Sequence, residues 1–501
     1  MNPLDELVAF FSPAAALRRA QARRVLSYYE AANPSRLRKG RTAPGSGNVA
    51  VARAGRNLRE QARYFEQNHD LARGVLGDLV LKTVGPNGIT CEPQPRTADG
   101  EIHDDFAAQL LELWKEWGKK PEVTWQHDWP SAQRILARSW FRDGEVFAQE
   151  VVGNVPYLDH GTTVPYSLEM IEADLCPIDY NLAPKIVQGI ELNAWGRPTG
   201  YFVYLTPPGD MISITTVALA SQTKRISADR MLHCKLVDRI RQLRGVSQFA
   251  TILTRLDDLK DYEESERIAA KVAASMAAVI KKGMPEMYES SEDPDAEDEN
   301  VRDLKFRPGM IFDDLLPGES IETIDTKRPN ANLLTYRQGQ LRGVASGTMT
   351  SFSSVAKDYN GTYSAQRQEL VESWAAYATL QAEFTNAIVR PAYETFVATA
   401  IASGAVKVPA GVVASSVDDA IYIGPQMPWI DPESEANASI ALEGAVYESA
   451  PAIIRRRGGN PTDVIAQQTA WKRKLAKAAL TPTSQQSTAP DPVKAAARRG
   501  A

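Results

Sequence analysis

Three cysteines in 501 residues, none close to another in sequence, leave no basis for a disulfide framework or a cysteine-based zinc site. Cys91, Cys176 and Cys234 therefore read as small buried apolar residues. Histidine is also scarce. His69, His103, His127, His160 and His233 are dispersed and show no local metal-binding spacing, so neither a metal nor a cofactor is expected. No apolar run approaches the roughly 18–20 residues that a membrane span needs. The short apolar stretch at 7–11 follows Asp5 and Glu6 and precedes Arg18, Arg19, Arg23 and Arg24, the reverse of a secretory signal. Folding in a cytoplasm is the expectation. The motifs of common catalysis are missing too. Gly85-Pro86-Asn87-Gly88 lacks the Lys-Ser/Thr ending of a phosphate-cradling loop, and no nucleophile elbow or His-Glu-x-x-His pair occurs. Glu169, Glu172 and Asp174 come nearest to a carboxylate site, and turn or cap roles fit them better than acid–base work. No catalytic residue is assigned, and a hydrolase using these carboxylates is the weakest of the readings.

Charge is plentiful but segregated. The net charge of −5 conceals basic ends and an acidic middle. Arginines and a lysine crowd the first sixty residues, and Arg455, Arg456, Arg457, Lys472, Arg473, Lys474 and Lys477 mark the last fifty. Between them, 286–299 holds eight carboxylates and no cation. Such a pattern suits a large polyanion or an assembly partner, and equally a solvated surface. The acidic stretch has too little apolar content to offset its ordering entropy, so an exposed, protease-sensitive loop is expected.

Helical periodicity predicts helices over 13–31, 57–82, 103–118 and 128–142, with a loop or arm over 32–50. Trp114 and Trp117 share the apolar stripe of the third and should be core. From 144 to 233 the texture turns to short β-prone runs at 145–152, 167–172, 186–193 and 200–206, with a hairpin closed at Pro207-Pro208-Gly209. A β-rich unit following a helical one defines an α+β class. A helix over 247–282 follows, free of Pro and Gly, with alanine pairs that permit close approach of another helix. Ala269, Ala273 and Ala277 are its candidate packing residues. Strands are expected near 301–306, 310–316 and 320–325, and helices at 333–346 and 364–402, the latter interrupted by Pro391. The Ser, Thr, Gly and Asn of 347–362 resist regular structure. A helical pair at 434–456 and 461–479 and a disordered tail from 480 end the chain.

Several fragments, in order, carry a resemblance. They begin with Arg56-Asn57-Leu58 and Asn68-His69-Asp70-Leu71-Ala72-Arg73-Gly74, then Asp143-Gly144-Glu145-Val146-Phe147 and Glu172-Ala173-Asp174. Gly189-Ile190-Glu191, Gly196-Arg197-Pro198 and Arg241-Gln242-Leu243-Arg244-Gly245-Val246-Ser247 follow. Pro308-Gly309-Met310, Leu316-Pro317-Gly318-Glu319, Tyr363-Ser364-Ala365-Gln366-Arg367 and Trp429-Ile430-Asp431-Pro432 complete the series. Together they resemble lambda-type portal proteins along nearly the whole chain. Two departures are the acidic insert at 286–299 and a modest C-terminal extension, which implies a small crown.

The resemblance implies a ring, typically of twelve subunits, at one capsid vertex, conducting double-stranded DNA without reading its sequence. Its implied partners are the terminase large subunit, the head–tail connector, and the major capsid and scaffold proteins, with no membrane. It divides the chain into a basic arm (1–56), a wing (57–246), a stem helix (247–282) and a clip (283–330). A second stem helix (331–346), a channel loop (347–363), a kinked helix returning to the wing (364–430), crown helices (431–480) and a tail (481–501) follow. Ser351, Lys357, Asp358, Tyr359 and Asn360 become the channel-loop candidates. The competing reading is an adaptor or scaffold-binding protein of a viral assembly, without a channel.

Overall fold

A computed structural model describes residues 45–208, 222–274, 278–282, 319–323, 332–428 and 431–478, with Ser12 and Ala14. The expected helix 13–31, the loop end at Gly209, the strands near 301–306 and 310–316, the acidic stretch 286–299 and the tail lie outside the described residues. Two units are distinguished, 1–50 and 51–501. In the first, the described part consists mainly of the opening turn of a helix.

That helix, α1 (Gly47–Asn68), starts ten residues before the expected 57 and does not run on to 82. His69 divides it from α2 (Asp70–Thr83). The His69 backbone is extended (φ −136°), and its Nδ1 accepts a hydrogen bond from the Leu71 N–H at 3.3 Å. A side chain capping an orphan N–H starts a new helix where periodicity alone suggests one. After β1 (Thr90–Pro93), α3 (Asp104–Trp117) and α4 (Trp129–Asp143) form as predicted. Asp128 caps α4 by accepting from the Ser131 N–H at 2.9 Å, and Gly144 ends it at φ +88°. A Cβ at Gly144 would collide with the backbone of Val246, so this turn requires glycine on two counts.

The β-rich unit forms two antiparallel sheets. In the first, β2 (Glu145–Val152) lies between β3 (Tyr166–Ile171) and β8 (Met231–Lys235), with Ala148 opposite both Met170 and Leu232. The second is a meander of β4 (Ile186–Val187), β5 (Ile190–Leu192), β6 (Pro198–Tyr204) and β7 (Thr223–Ser227). The expected strand 186–193 is thus a hairpin, because Gln188 (φ +55°) and Gly189 (φ +78°) turn the chain back.

The long helix expected over 247–282 is shorter. Residues 249–252 form turns, α5 spans Leu253–Ala274, and β9 (Ala278–Lys282) pairs with β10 (Glu319–Thr323). Val279 and Ile280 are β-branched and favour the strand that the alanine-rich reading overlooked. Next come α6 (Leu333–Thr348), α7 (Phe352–Ala356) and α8 (Tyr363–Phe384). A π-turn (Thr385–Val389) leads into α9 (Arg390–Ala402). Pro391 has no N–H to donate, and the wide turn, in which the Arg390 N–H reaches the Thr385 carbonyl, absorbs the interruption. Then β11 (Ala420–Ile423) pairs with β1.

The expected helix 434–456 divides into α10 (Pro432–Gly444) and α11 (Ala450–Arg456), broken at the left-handed Val446. Finally, α12 spans Pro461–Lys477. Arg455 clamps α11 to Glu92 through two contacts at 2.8 and 2.9 Å.

A large core joins α2, α3, α4, the first sheet and α8–α9, and a smaller one serves the meander. Trp114 and Trp117 are buried as expected, stacked 4.4 Å apart against Phe396. The result is mixed helix and sheet. Its α5–α6 pair begins inside the core at Leu253, Leu256 and Leu259 and then leaves it, since no α5 side chain described beyond Leu259 is buried.

Candidate functional site

Thr348 ends α6 with its hydroxyl donating to the Val344 carbonyl at 2.9 Å, and Met349 takes the left-handed conformation. The chain then turns immediately into α7, so the expected irregular loop is partly helical. Ser351 caps that helix by accepting from the Ser354 N–H at 3.1 Å, and Lys357 closes it at φ +53°. Three ties fasten α7 to its neighbours. The Ser353 N–H and hydroxyl donate to the Glu369 carboxylate at 3.0 and 2.6 Å. Lys82 donates to the Ser354 hydroxyl at 2.8 Å while pairing with Asp78 at 2.9 Å. The Arg342 guanidinium lies 5.1 Å from the centre of the Phe352 ring. Burial opposes the charge on Glu369, but these serine hydrogen bonds outweigh it and hold the carboxyl below its usual range.

The candidate residues therefore separate by role. Ser351 is buried as a cap. Asp358 builds the turn after α7, accepting from the Asn360 N–H at 3.2 Å and from its amide at 2.8 Å. Lys357, Tyr359 and Asn360 are exposed, and Lys357 forms no ion pair with a described carboxylate. On α5, Ala269 is half-buried and Ala273 lies in the last turn. Ala277 falls outside the described residues.

Sequence reasoning missed the densest cluster of charge among the described residues. Glu145, at the head of β2, is fully buried. Its carboxylate accepts from Arg244 Nε at 2.9 Å, the Gly245 N–H at 3.0 Å, His233 Nε2 at 3.2 Å and Arg59 Nη2 at 3.2 Å. Arg244, equally buried, also donates to the carbonyls of Gln188, Ala173 and Cys176 at 2.8, 3.2 and 3.1 Å. Arg59 and Arg63 grip Asp174, and Arg63 and Arg142 each hold Asp143 through two contacts. Arg138 and Arg142 reach Glu66.

Burial alone would raise the Glu145 pKa, and Arg244 beside it overcomes this, holding the group far below the carboxylate range. His233 is pushed down to about 4, chiefly by burial, so it sits neutral and donates to Glu145. All three carboxylates of the 169–174 group are engaged: Asp174 here, Glu169 with Lys224 at 2.9 Å, and Glu172 with Arg142 at 3.4 Å. The network fastens α1, α4 and the meander to the 236–247 segment that leads into α5. It is a clamp between parts of the fold. Among the described residues no group of His, Cys, Asp or Glu could hold a metal ion.

A helical layer clamped onto a β-rich unit, with a two-helix arm and a fastened connection at its base, is the frame into which the comparisons fall. The chain belongs to the lambda family of phage portal proteins, whose family model matches residues 33–381. It is similar to the "Probable portal protein" of Halomonas phage phiHAP-1, 23% identical over 437 residues, which cover 85% of this chain and 82% of that protein. Among solved structures it is similar to a chain from the virion of a native gene transfer agent particle. The TM-score is 0.43 and the identity 10%, covering 81% of this chain and 95% of that one. A chain from the neck of the empty particle, computed with C6 symmetry, gives a TM-score of 0.43 and 13% identity over 84% and 96% of the two chains.

Proposed function

We propose that this portal protein assembles into a ring, of twelve copies by family expectation, at one capsid vertex, and that double-stranded DNA is packaged and ejected through its centre. The observation that carries this reading is the α5–α6 arm. α5 has 22 residues and α6 has 16, so at 1.5 Å per residue they are about 33 and 24 Å long. They are joined to each other by Arg337 to Glu263 at 2.7 Å, Arg255 to Gln340 at 2.6 Å and the Tyr262–Tyr336 ring contact at 4.6 Å. An arm that leaves its own core, with Ile268 and Leu334 exposed among its polar side chains, suits a stem that packs beside copies of itself.

In this reading α1 to β8 form the wing, β9 and β10 open the clip that docks the terminase motor and later the connector, and α10–α12 form the crown. Lys357, Tyr359 and Asn360 face the channel. A single lysine per chain there touches phosphates without binding them firmly, since each neutralised phosphate adds salt-dependent affinity that would stall translocation. Location at the virion's portal vertex, after assembly in the host cytoplasm, follows from the same reading.

Light scattering on the purified chain tests the ring. Closed twelve-fold assembly gives about 660 kDa from subunits of 55.0 kDa. A monomer at all concentrations would overturn the reading. So would an open-ended series of sizes.

A further inference from the structure

A ring built from one kind of chain needs two unlike patches on every copy, one fitting the other head to tail. Two features, neither used above, have that relation. The first is the β5–β6 hairpin. Asn193 Oδ1 accepts from the N–H groups of Trp195 and Arg197, each at 2.9 Å, and the Asn193 N–H donates to the Arg197 carbonyl at 2.9 Å. At its base, Arg225 grips Glu191 at 2.8 and 2.6 Å. This rigid tip holds Trp195 89% exposed, with Arg197 beside it also exposed and without an ion-pair partner among the described residues. A pre-ordered aromatic surrounded by water loses little entropy on docking and gains a large apolar area.

The second feature is a cavity of about 630 Å³ between the end of β2 and α9, lined by Val152, Pro165, Arg230, Glu394, Ala398 and Ala402. Glu394, Ala398 and Ala402 recur every four residues along one exposed side of α9, where small side chains let another surface come close. Glu394 also borders a second, polar cavity of about 290 Å³ beside Asp418 and Asp419, and has no ion-pair partner among the described residues. The groove thus offers apolar walls and a carboxylate, Glu394, at one end, where Arg96 and Arg390 share the second cavity with Asp418 and Asp419. The hairpin tip offers an indole and a guanidinium.

We propose that the Trp195–Arg197 tip of one copy docks in the Glu394–Ala402 groove of the next, with the indole against Pro165 and Ala398 and Arg197 on Glu394. This rests on the ring reading and names the contact that closes the ring. Arg230 at the rim is cationic and keeps Arg197 toward the Glu394 end.

Cysteine pairing tests it directly, because Cys91, Cys176 and Cys234 are buried. Trp195→Cys and Ala398→Cys chains, purified separately, should stay unlinked alone under mild oxidation. Mixed, they should give a cross-linked pair of chains, and the double variant should give a ladder of multiples. Charge exchange is the second arm. Arg197→Glu and Glu394→Arg should each raise the concentration needed for assembly at least tenfold, and the double exchange should restore it. Wild-type rings combined with no mixed cross-link, or with Arg197→Glu chains assembling at the wild-type concentration, overturn the docking and leave the ring intact. A wild-type chain that never assembles overturns the ring reading itself.

Discussion

Replacing Arg244 by Met keeps most of the side chain's volume and removes its charge from a fully buried site. In the wild-type protein that guanidinium is fully buried and meets the equally buried Glu145, together with three backbone carbonyls. Removing one partner of a buried pair costs about 3–5 kcal/mol, because the remaining charge must stay desolvated or take up a proton. The orphaned carbonyls each add on the order of 1 kcal/mol unless water reaches them. Urea unfolding followed by tryptophan fluorescence, at fixed protein concentration, should therefore show a loss of about 4 kcal/mol or more.

Glu145→Gln alone should also destabilise, since it leaves Arg244 without its anion. The double variant should lose roughly 2 kcal/mol less than the sum of the two, the coupling expected of residues in direct contact. A loss below about 1 kcal/mol for Arg244→Met, or strict additivity, would refute the claim that this pair clamps the β-rich unit to the lead-in of α5.

Stability should also fall between about pH 6.5 and 4. His233 has an ordinary value of 6.5 and is pushed down to about 4 in the fold, so the unfolded chain binds the extra proton in that window. Calorimetry of His233→Gln should show a flatter profile there, whereas loss below pH 4.5 should persist through Glu145 and Asp174, whose folded values are depressed. Gly144→Ala should cost several kcal/mol or prevent folding, because both the +88° φ and the Val246 backbone oppose a Cβ. Glu369→Gln weakens two charged hydrogen bonds to Ser353, and hydrogen exchange at 353–356 should accelerate while exchange in α8 stays unchanged. Lys357→Glu should leave assembly intact and lower DNA packaging or retention; normal packaging would remove this residue from the channel.

Much of this architecture is legible in the chain. The Trp114–Trp117 stripe and the helical reading of 103–118 and 128–142 place α3 and α4 within a residue or two. The change from helical to alternating texture after Gly144 marks the β-rich unit. What stays hidden depends on distant partners. Nothing near Arg244 or Glu145 in sequence says that residues 99 positions apart neutralise each other in the core. Arg244 is one of three arginines in 239–244, and nothing local sets it apart from Arg239 and Arg241. The 347–362 segment misled for a related reason. Serine disfavours helix interiors, but Ser351 as a cap and Ser353 and Ser354 held by Glu369 and Lys82 make a short helix stable through tertiary ties. At 278–282 the alanine count outweighed the β-branched pair Val279-Ile280, which finds its partner strand some forty residues later.

One measurement reaches the central claim most directly: electron microscopy of the purified chain, taken to a resolution at which side chains are placed. The account predicts a closed ring with an open centre, α5 and α6 packed around the axis, and Lys357, Tyr359 and Asn360 facing the opening. A closed particle without a central passage, or a ring carrying those three residues on its outer circumference, would contradict it.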